Sequence, residues 1–337
     1  MSGRVTRRVV GPALVLIGLC VGAAAGYVDG RPAEGPPWAH DPFLAHEGAW
    51  YYLFSTGPGI LVQRSKDLHA WEPLPPVFPR RLPWLVQSLP ANTGDLWAPE
   101  VTWHDGLWQL YYCASTFGSN RSRIGHATNR TLDPASPDFQ WVDHGLVIAS
   151  EPGDDWNAID PSLVVDDTGP GGKARWFLTF GSFWSGIKQV ELDPATGVPA
   201  SPSPELRPLA RRPGVPGDPI EAPFIYHHGA YWYLWVSIDY CCQGIRSTYK
   251  IAVGRSTDVT GPFSDEQGKD MRDGGGTVVL QGYGDMHGPG GESVIRDGDR
   301  DLLVHHMYDG ALAGEAVMQA RPIQWVNNWP VIGDPLP

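Results

Sequence analysis

One short phrase recurs five times along the chain. Each copy contains a proline, usually with an acidic residue beside it, and an aromatic or aliphatic run typical of a buried strand follows about ten to seventeen residues later. Because a fixed unit repeated around a closed ring brings distant residues to one central point, three of these acids can meet there. The phrases are His40-Asp41-Pro42, Ala98-Pro99-Glu100, Ile159-Asp160-Pro161, Glu221-Ala222-Pro223 and Gly288-Pro289-Gly290-Gly291-Glu292.

The spacing of the strand-like runs predicts the fold. Their centres are separated by roughly the length of one propeller blade or a little more. The chain also contains 41 glycines and 33 prolines without a short period, which indicates many tight turns between short strands. We therefore predict an all-β protein with the architecture of a five-bladed β-propeller, each blade holding at least three strands. A β-sandwich would not explain why successive units begin with the same phrase. The run centres are Tyr52, Leu110, Phe177, Tyr233 and Leu303.

Composition excludes one class of partner. The formal net charge is -12, whereas a protein that binds nucleic acid needs a basic surface. Charged residues make up 18% of the chain and aromatic residues 11%, so there is ample apolar area for a core. These features fit a folded, acidic protein with a neutral substrate and no nucleic-acid partner.

The N-terminal segment differs from the rest of the chain. Three arginines precede an uncharged run, and Ala23-Ala24-Ala25 offers a small-residue cleavage site. We predict a signal peptide over residues 1–25, a Gly/Pro-rich leader over 26–37 and a single catalytic domain over 38–337. The protein is then secreted and extracellular, with no membrane contact after cleavage. An uncleaved membrane anchor is the alternative, since the uncharged run approaches the length that spans a bilayer.

Few cysteines remain after the predicted cleavage. Cys113 and the adjacent Cys241 and Cys242 make an odd number, so no disulfide framework supports the fold. The adjacent pair could close into a ring, but two reduced thiols are the default expectation. The spacing does not suggest a zinc site.

Several carboxylates around a narrow pocket suggest glycoside hydrolysis. In that reaction a protonated acid donates to the leaving oxygen and an ionised carboxylate activates water, and inverting enzymes hold the two about 6.5 to 9.5 Å apart. A third carboxylate near the acid raises its pKa through repulsion between like charges. For any single acid at the start of a strand, the simpler interpretation is that it caps a turn. Periodicity alone does not assign the roles.

A series of motifs from His40 to Asp309 resembles glycoside hydrolase family 43, in particular its arabinanases. The resemblance implies a five-bladed propeller and inverting, endo-acting hydrolysis of α-1,5-linked L-arabinan. It also implies that Asp41 is the general base, Glu221 the general acid and Asp160 the residue that tunes the pKa of Glu221 and orients it. The motifs are His40-Asp41-Pro42, Trp97-Ala98-Pro99-Glu100, Asn157-Ala158-Ile159-Asp160-Pro161, Gly181-Ser182-Phe183-Trp184-Ser185-Gly186-Ile187, Ile220-Glu221-Ala222-Pro223, Asp239-Tyr240-Cys241-Cys242-Gln243-Gly244, Ser247-Thr248-Tyr249-Lys250 and Gly274-Gly275-Gly276-Thr277.

The same motifs supply candidates for substrate binding. Aromatic side chains bind sugars by stacking on their apolar faces, and hydrogen-bonding side chains fix the orientation. Glu100 is expected to line the cleft without taking part in the reaction. For the tryptophans inside strands, at positions 50, 108, 176 and 232, we predict packing instead. The candidates for substrate binding are Trp97, Glu100, Phe117, Asn157, Ser182 and Trp184.

The resemblance also implies a metal ion, commonly calcium, on the propeller axis. His306 occupies the matching position in the strand that contains Leu303-Val304-His305-His306-Met307-Tyr308-Asp309. Because calcium prefers oxygen ligands, waters would have to complete the shell, and without the resemblance a lone histidine at a strand end is more often structural. No organic cofactor is expected. One departure is that many relatives have Gly-Pro-Gly-His-Asn where this chain has Gly288-Pro289-Gly290-Gly291-Glu292.

Two other interpretations remain open at this stage. An exo-acting arabinofuranosidase or β-xylosidase could use the same scaffold, because the loops that close one end of a cleft distinguish exo from endo action. A non-catalytic carbohydrate-binding propeller would not need three acids with separate roles. The leading prediction is a monomeric hydrolase whose partner is the plant cell-wall polysaccharide arabinan.

Overall fold

The computed structural model describes residues 36–337, all of which belong to one compact unit. The predicted signal peptide, and the predicted leader apart from Pro36 and Pro37, lie outside the described residues. Within the described part of the chain, no helix combines the length and the apolar character needed to cross a membrane.

Five antiparallel sheets follow one another along the described chain and form a five-bladed β-propeller, which confirms the predicted fold. Blade 1 contains β1, β2, β4 and β5, whereas the two-residue β3 pairs with β6 at the edge of blade 2. A short helix, α1 (Pro83–Ser88), separates the two blades. The strands in this part of the chain are β1 (Phe43–Glu47), β2 (Trp50–Ser55), β3 (Gly57–Pro58), β4 (Leu61–Ser65), β5 (Glu72–Leu74), β6 (Asp95–His104), β7 (Leu107–Ala114), β8 (Ser122–Asn129) and β9 (Val142–Ser150).

The remaining three blades each contain four strands in simple sequential order. Blade 3 is β10 (Ser162–Asp166), β11 (Arg175–Phe180), β12 (Ile187–Leu192) and β13 (Arg207–Ala210). Blade 4 is β14 (Ile220–His228), β15 (Tyr231–Ile238), β16 (Lys250–Ser256) and β17 (Thr277–Gln281). Blade 5 is β18 (Met286–Asp297), β19 (Arg300–Asp309), β20 (Glu315–Val326) and β21 (Trp329–Ile332). Short 3-10 turns occur at Pro170–Gly172, Gly244–Arg246, Met271–Asp273 and Gly310–Leu312.

The second strand of each blade carries the aromatic or aliphatic run recognised in the sequence. In β15, the side chains from Tyr233 to Val236 are fully buried, because both faces of the blade are covered by neighbouring blades. The main hydrophobic cluster accordingly joins residues of different blades, such as Phe54, Tyr112 and Tyr233. Burial of these runs provides most of the contact between blades.

The tryptophans inside strands pack as predicted. Trp108, Trp176 and Trp232 are buried. Trp50 is half-buried against the main cluster, and the guanidinium of Arg64 lies 4.1 Å from the centre of its ring. None of the four is therefore available as a sugar platform in the cleft.

The N-terminal end of the described chain closes the ring. The Met318 N–H donates to the Pro37 carbonyl at 2.9 Å, and the Ala39 N–H donates to the Ala316 carbonyl at 3.1 Å. Residues 37–39 therefore pair with β20 of the last blade immediately before the chain enters the first blade. This pairing brings the motif at Asp41 next to blade 5.

Every recurring phrase contains a residue with left-handed backbone geometry just before or within the innermost strand, and the fifth phrase has a second one, Gly288. The φ angles of these residues lie between 42° and 60°. The acids do not share this position, contrary to the prediction that they recur at equivalent places. Relative to the left-handed residue, Asp41 and Asp160 coincide with it, Glu221 precedes it by one, Glu292 follows it by one and Glu100 follows it by two. The left-handed residues taken as the reference are Asp41, Ala98, Asp160, Ala222 and Gly291.

Candidate active site

The five phrases converge on a small cavity on the propeller axis. Its volume is about 40 Å³, enough for a few water molecules. Residues of all five blades line it, so the repeat does bring the acids to one place. The lining residues are Asp41, Pro42, Phe43, Ala98, Pro99, Glu100, Asp160, Pro161, Ser162, Ala222, Pro223, Phe224, Gly291, Glu292 and Ser293.

A ring of hydrogen bonds between blades holds the five phrases together. In each case the backbone N–H of the left-handed residue donates a hydrogen bond to a side chain of the preceding blade. For Asp41 in blade 1, the preceding blade around the ring is blade 5. Four acceptors lie at the end of the second strand of the preceding blade or just beyond it, and the fifth is the Asp160 carboxylate. The bonds run from Ala98 to Thr56 Oγ1 (3.0 Å), from Asp160 to Cys113 Sγ (3.4 Å), from Ala222 to Asp160 Oδ2 (3.1 Å), from Gly291 to Ser237 Oγ (2.9 Å) and from Asp41 to His306 Nδ1 (3.2 Å).

Asp41 lies in an environment that favours its charged form. Its Oδ2 accepts a hydrogen bond from Thr56 Oγ1 at 2.6 Å and lies 2.9 Å from His40 Nδ1. Burial acts to raise the pKa of Asp41, but the charge and hydrogen bond of His40 outweigh it and hold that pKa well below its usual range. The other oxygen, Oδ1, accepts no hydrogen bond from the described residues. Asp41 can therefore act as a base through Oδ1.

Glu221 lies in the opposite kind of environment. It is buried, and burial raises its pKa, with a further contribution from the negative charge of Asp41. Ser182 Oγ donates to its Oε2 at 2.6 Å and the Tyr249 hydroxyl donates to its Oε1, which limits the rise. These two donors stabilise the carboxylate that remains after Glu221 has given up a proton.

Asp160 connects the phrase of blade 3 to that of blade 4. Its Oδ2 accepts the N–H of Ala222, the residue after Glu221, at 3.1 Å. Burial and the charges of Glu221 and Asp41 raise the pKa of Asp160 well above its usual range. Two such carboxyls cannot both be charged at low cost, so the environment favours a state in which the pair of Asp160 and Glu221 holds a proton.

Two further acids line the cavity without contacting Glu221 by a hydrogen bond. Glu100 accepts from the Leu163 N–H at 3.1 Å and from the Thr102 hydroxyl, and Glu292 accepts from Ser237 Oγ at 2.6 Å. Burial raises the pKa of each to about 8. These two acids follow the left-handed residue of their phrase, whereas the other three acids coincide with it or precede it.

The predicted sugar-binding residues lie in several different environments. Trp97 is half-buried against the core of blades 2 and 3, and Asn157 is buried with its Oδ1 accepting from Ser122 Oγ at 2.6 Å. Phe117 is 84% exposed and Trp184 is 38% exposed, so both present rings to solvent. Ser182, in contrast, donates its hydroxyl hydrogen bond to Glu221. The structure thus brings Ser182 to the acids and leaves Phe117 and Trp184 free to contact a ligand.

His306 is fully buried beside Asp41. Its Nδ1 accepts the Asp41 N–H and lies 3.7 Å from Asp41 Oδ1, while its Nε2 is buried without a hydrogen-bond partner among the described residues. Burial lowers the pKa of His306 well below its usual range, so the ring is neutral. Ligand atoms of His306, His40 and Asp41 lie within 4.8 Å of one another. Because Nδ1 accepts an N–H, the neutral ring carries its proton on Nε2, and that nitrogen can serve as a metal ligand only after the proton moves to Nδ1.

Sequence reasoning missed the residues that hold the acids in place. His40, Thr56, Tyr249 and Ser237 all contact an acid of the cavity. A sequence signal did exist for part of this set, because Thr56, Cys113, Ser237 and His306 each follow the left-handed residue of their own blade by fifteen positions. That spacing becomes visible only when the left-handed residue, rather than the acid, is taken as the reference.

Cys241 and Cys242 form a disulfide bond, so the expectation of two reduced thiols was wrong. The bond joins neighbouring residues in a turn between β15 and β16 and closes no larger loop. The Cys242 N–H donates to the Tyr308 hydroxyl at 2.7 Å, which places the turn at the rim of the cleft. The other cysteine within residues 36–337, Cys113, is buried and forms no disulfide bond.

Comparison with known proteins identifies the family. The model of glycosyl hydrolases family 43 matches residues 36–330. The extracellular exo-α-(1→5)-L-arabinofuranosidase ArbA of Cellvibrio japonicus is 40% identical over 88% of this chain and 86% of its own length. The extracellular endo-α-(1→5)-L-arabinanase 1 of Bacillus subtilis is 38% identical over 91% of this chain and 94% of its own. The solved α-L-arabinanase of Cellvibrio cellulosa in complex with arabinohexaose superposes with a TM-score of 0.82 at 40% identity, covering 88% of this chain and 96% of the other.

Proposed function

Because this chain belongs to glycosyl hydrolase family 43, and is therefore a glycoside hydrolase, we propose that it hydrolyses the α-1,5-L-arabinofuranosidic bonds of arabinan with inversion. The names of its relatives support the substrate, since both the Cellvibrio and the Bacillus enzymes act on α-(1→5)-linked L-arabinose units. The observation that carries the mechanism is the contrast between the carboxyls. The pKa of Asp41 is lowered, while those of Glu221 and Asp160 are raised.

This contrast assigns the roles. Asp41, ionised through its contacts with His40 and Thr56, takes a proton from water as the water attacks the anomeric carbon. Glu221 gives its proton to the leaving oxygen as the glycosidic bond breaks. Asp160 raises the proton affinity of the pair and fixes the backbone beside Glu221 through the Ala222 N–H. The division into a charged base and a protonated acid is the pattern that inverting hydrolysis requires.

Replacement of Glu221 tests the acid. We expect Glu221→Ala to lower kcat on linear arabinan by roughly 10²- to 10⁴-fold, because the leaving oxygen then departs without a proton. An aryl arabinofuranoside with a dinitrophenolate leaving group needs no such proton, so it should lose far less. The exposed Glu205→Ala serves as the matched control. Near-normal activity of the Glu221 variant on arabinan would refute the assignment.

Replacement of Asp41 gives the complementary result. Asp41→Asn should lose activity on both arabinan and the activated aryl substrate, because both need a deprotonated water. Analysis of the first product by NMR should show the β-anomer, as expected for a single inverting displacement. The α-anomer as first product would exclude inversion.

We propose endo action, and the exo alternative is supported by a specific observation. The Bacillus relative is named an endo-arabinanase, whereas the Cellvibrio relative, at similar identity, is named an exo-acting enzyme. Digestion of debranched arabinan, with product lengths read by chromatography, distinguishes them. A ladder of oligomers supports endo action, and a single short product supports exo action. Activity on aryl xylosides alone would favour a β-xylosidase.

We further propose that His306 holds a calcium ion together with water molecules. The unpartnered Nε2 of His306 would bind such an ion once its proton has moved to Nδ1, and the ion would supply positive charge that favours the ionised form of Asp41, whose Oδ1 lies 3.7 Å from Nδ1. Elemental analysis should find calcium in the purified protein, and chelation should lower the melting temperature. His306→Ala should abolish both the bound calcium and the effect of the chelator. A metal-free protein whose melting curve ignores chelator would contradict this.

The location and assembly state follow from the same proposal. Relatives named as extracellular support secretion, and the predicted signal peptide at residues 1–25 would direct it. We propose that the mature protein acts as a monomer on polysaccharide outside the cell. N-terminal sequencing of the secreted protein and light scattering test these two points.

A further inference from the structure

A chain of contacts links the Cys241–Cys242 disulfide to Asp41. The Cys242 N–H donates to the Tyr308 hydroxyl at 2.7 Å, and that hydroxyl lies 2.9 Å from His40 Nε2. The opposite nitrogen of the same ring, His40 Nδ1, lies 2.9 Å from Asp41 Oδ2. The Cys242 sulfur is itself 3.7 Å from His40 Nε2. Three short contacts thus connect a rim turn to the carboxylate proposed as the base.

The geometry of the turn depends on the two cysteines. Cys242 has a φ of 63°, a left-handed conformation that is uncommon for residues other than glycine. A covalent bond between neighbouring sulfurs restricts both residues to few backbone angles, and so fixes the direction of the Cys242 N–H. Cys242 itself is exposed, while the rest of the turn is held by hydrogen bonds from the Gln243 N–H to Ser247 Oγ and from the Thr248 N–H to the Tyr240 carbonyl. The disulfide is therefore a covalent constraint on the Cys242 N–H in addition to these hydrogen bonds.

His40 has little other support for its orientation. Its ring stacks on that of His306 at 4.0 Å between centres, and its two nitrogens contact Asp41 and Tyr308. Rotation of the ring would break the contact with Asp41 as well as that with Tyr308. The position of the Tyr308 hydroxyl therefore helps to keep His40 Nδ1 within hydrogen-bonding distance of the Asp41 carboxylate.

We propose that the Cys241–Cys242 disulfide is a positioning element for the base, acting on Asp41 through Tyr308 and His40. This inference rests on the proposed function of Asp41. A dithiol such as dithiothreitol would cleave the sulfur–sulfur bond, forming two cysteine thiols while the dithiol becomes a cyclic disulfide. The turn then loses its constraint, and the base is less well aligned with the attacking water. The proposal therefore places the loss on kcat rather than on KM.

The first test removes the bond by substitution. The double variant Cys241→Ser/Cys242→Ser should show kcat on arabinan lowered by roughly 10-fold, because small misalignment of a reacting group is costly, with KM changed less than about 2-fold. The exposed neighbour Gln243→Ala should keep wild-type kcat. Unchanged kcat in the double variant overturns the proposal. A rise in KM alone also overturns it, since that would make the disulfide a substrate contact.

The second test asks whether the effect passes through Tyr308. In a double-mutant cycle, Tyr308→Phe and the double serine variant should each lower kcat, and their combination should lower it by clearly less than the product of the two effects. Multiplicative effects would show that the disulfide and Tyr308 act independently, which would refute the proposed route.

A third test does not depend on activity towards arabinan. Reduction of ¹⁵N-labelled wild-type protein should shift the ring resonances of His40, identified by their absence in His40→Gln, and reoxidation should restore them. The same treatment of the double serine variant is the control. If wild-type protein fails to cleave arabinan but His40 still responds, the proposed function fails while the link stands. Unmoved His40 resonances in protein shown by mass spectrometry to be reduced refute the link.

Discussion

At the scale of single residues, Gly291 shows how closely Asp41, the proposed base, is enclosed. A Cβ at this position would lie 2.7 Å from His306 Nδ1 and 2.8 Å from Asp41 Oδ1. We expect Gly291→Ala to displace Asp41 and to lower both kcat and stability, the latter by roughly 1–3 kcal/mol. Gly298→Ala is the matched control, because its φ of 58° is similar and its surroundings are open. Activity assays and thermal melts of both variants test this, and equal behaviour would contradict it.

Individual acids were only partly predictable from the sequence. Asp41, Asp160 and Glu221 stand in recognisable motifs; the structure places Asp41 and Asp160 at the cavity and links Asp160 to the residue after Glu221. The repeat alone could not separate Glu100 and Glu292 from them, and only the family resemblance did so, because their different placement depends on an offset of one or two residues from a left-handed backbone position. That position is set by hydrogen bonds between blades, which a single sequence does not display.

At the scale of elements, the ring of hydrogen bonds between blades can be tested at Ser237. Its hydroxyl accepts the Gly291 N–H and donates to Glu292, and all three groups are buried. Ser237→Ala leaves that N–H unpaired, so we expect unfolding free energy to fall by about 1–3 kcal/mol. Urea unfolding measures the change, with exposed Ser203→Ala expected to stay within about 0.5 kcal/mol of wild type. A loss no larger than that of the control would argue against the ring as a stabilising feature.

The strands differ in how well the sequence predicts them. The second strand of each blade was identified because burial on both faces demands a continuous apolar run, as in Tyr231–Ile238. The outermost strands were not predicted individually. Strand β13, Arg207–Ala210, is short and begins with exposed residues, so its sequence resembles a loop. Such edge strands form because a neighbouring strand offers unpaired backbone groups.

At the scale of the whole molecule, the buried acids make stability depend on pH. Burial raises the pKa of Glu292 from an ordinary 4.5 to about 8 in the folded protein. As pH rises, Glu292 therefore loses its proton in the unfolded chain before it does so in the folded protein. The contribution of protonated Glu292 to the free energy of unfolding is fully present below pH 4.5 and is lost as pH rises to about 8. When complete, this loss lowers the free energy of unfolding by about 5 kcal/mol.

Glu292→Gln should remove most of that dependence. Glutamine resembles the protonated acid and can still accept from Ser237, so the melting temperature should match wild type near pH 4.5 and exceed it by several degrees at pH 8. Thermal melts across this range measure the difference. Exposed Glu266→Gln should follow the wild-type curve. Parallel curves for Glu292→Gln and wild type would refute the proposed effect of burial.

The contact between Asp41 and the last blade has a consequence for biosynthesis. Asp41 leaves the ribosome early, but its partner His306 follows 265 residues later. At ordinary elongation rates this delay is on the order of 10 to 50 s. During that interval the first blade exists without the histidine that accepts the Asp41 N–H and without Tyr308. The proposed base is thus encoded near the start of the domain, whereas its contacts His306 and Tyr308 are encoded near the end, so the proposed catalytic centre is complete only when translation is almost over.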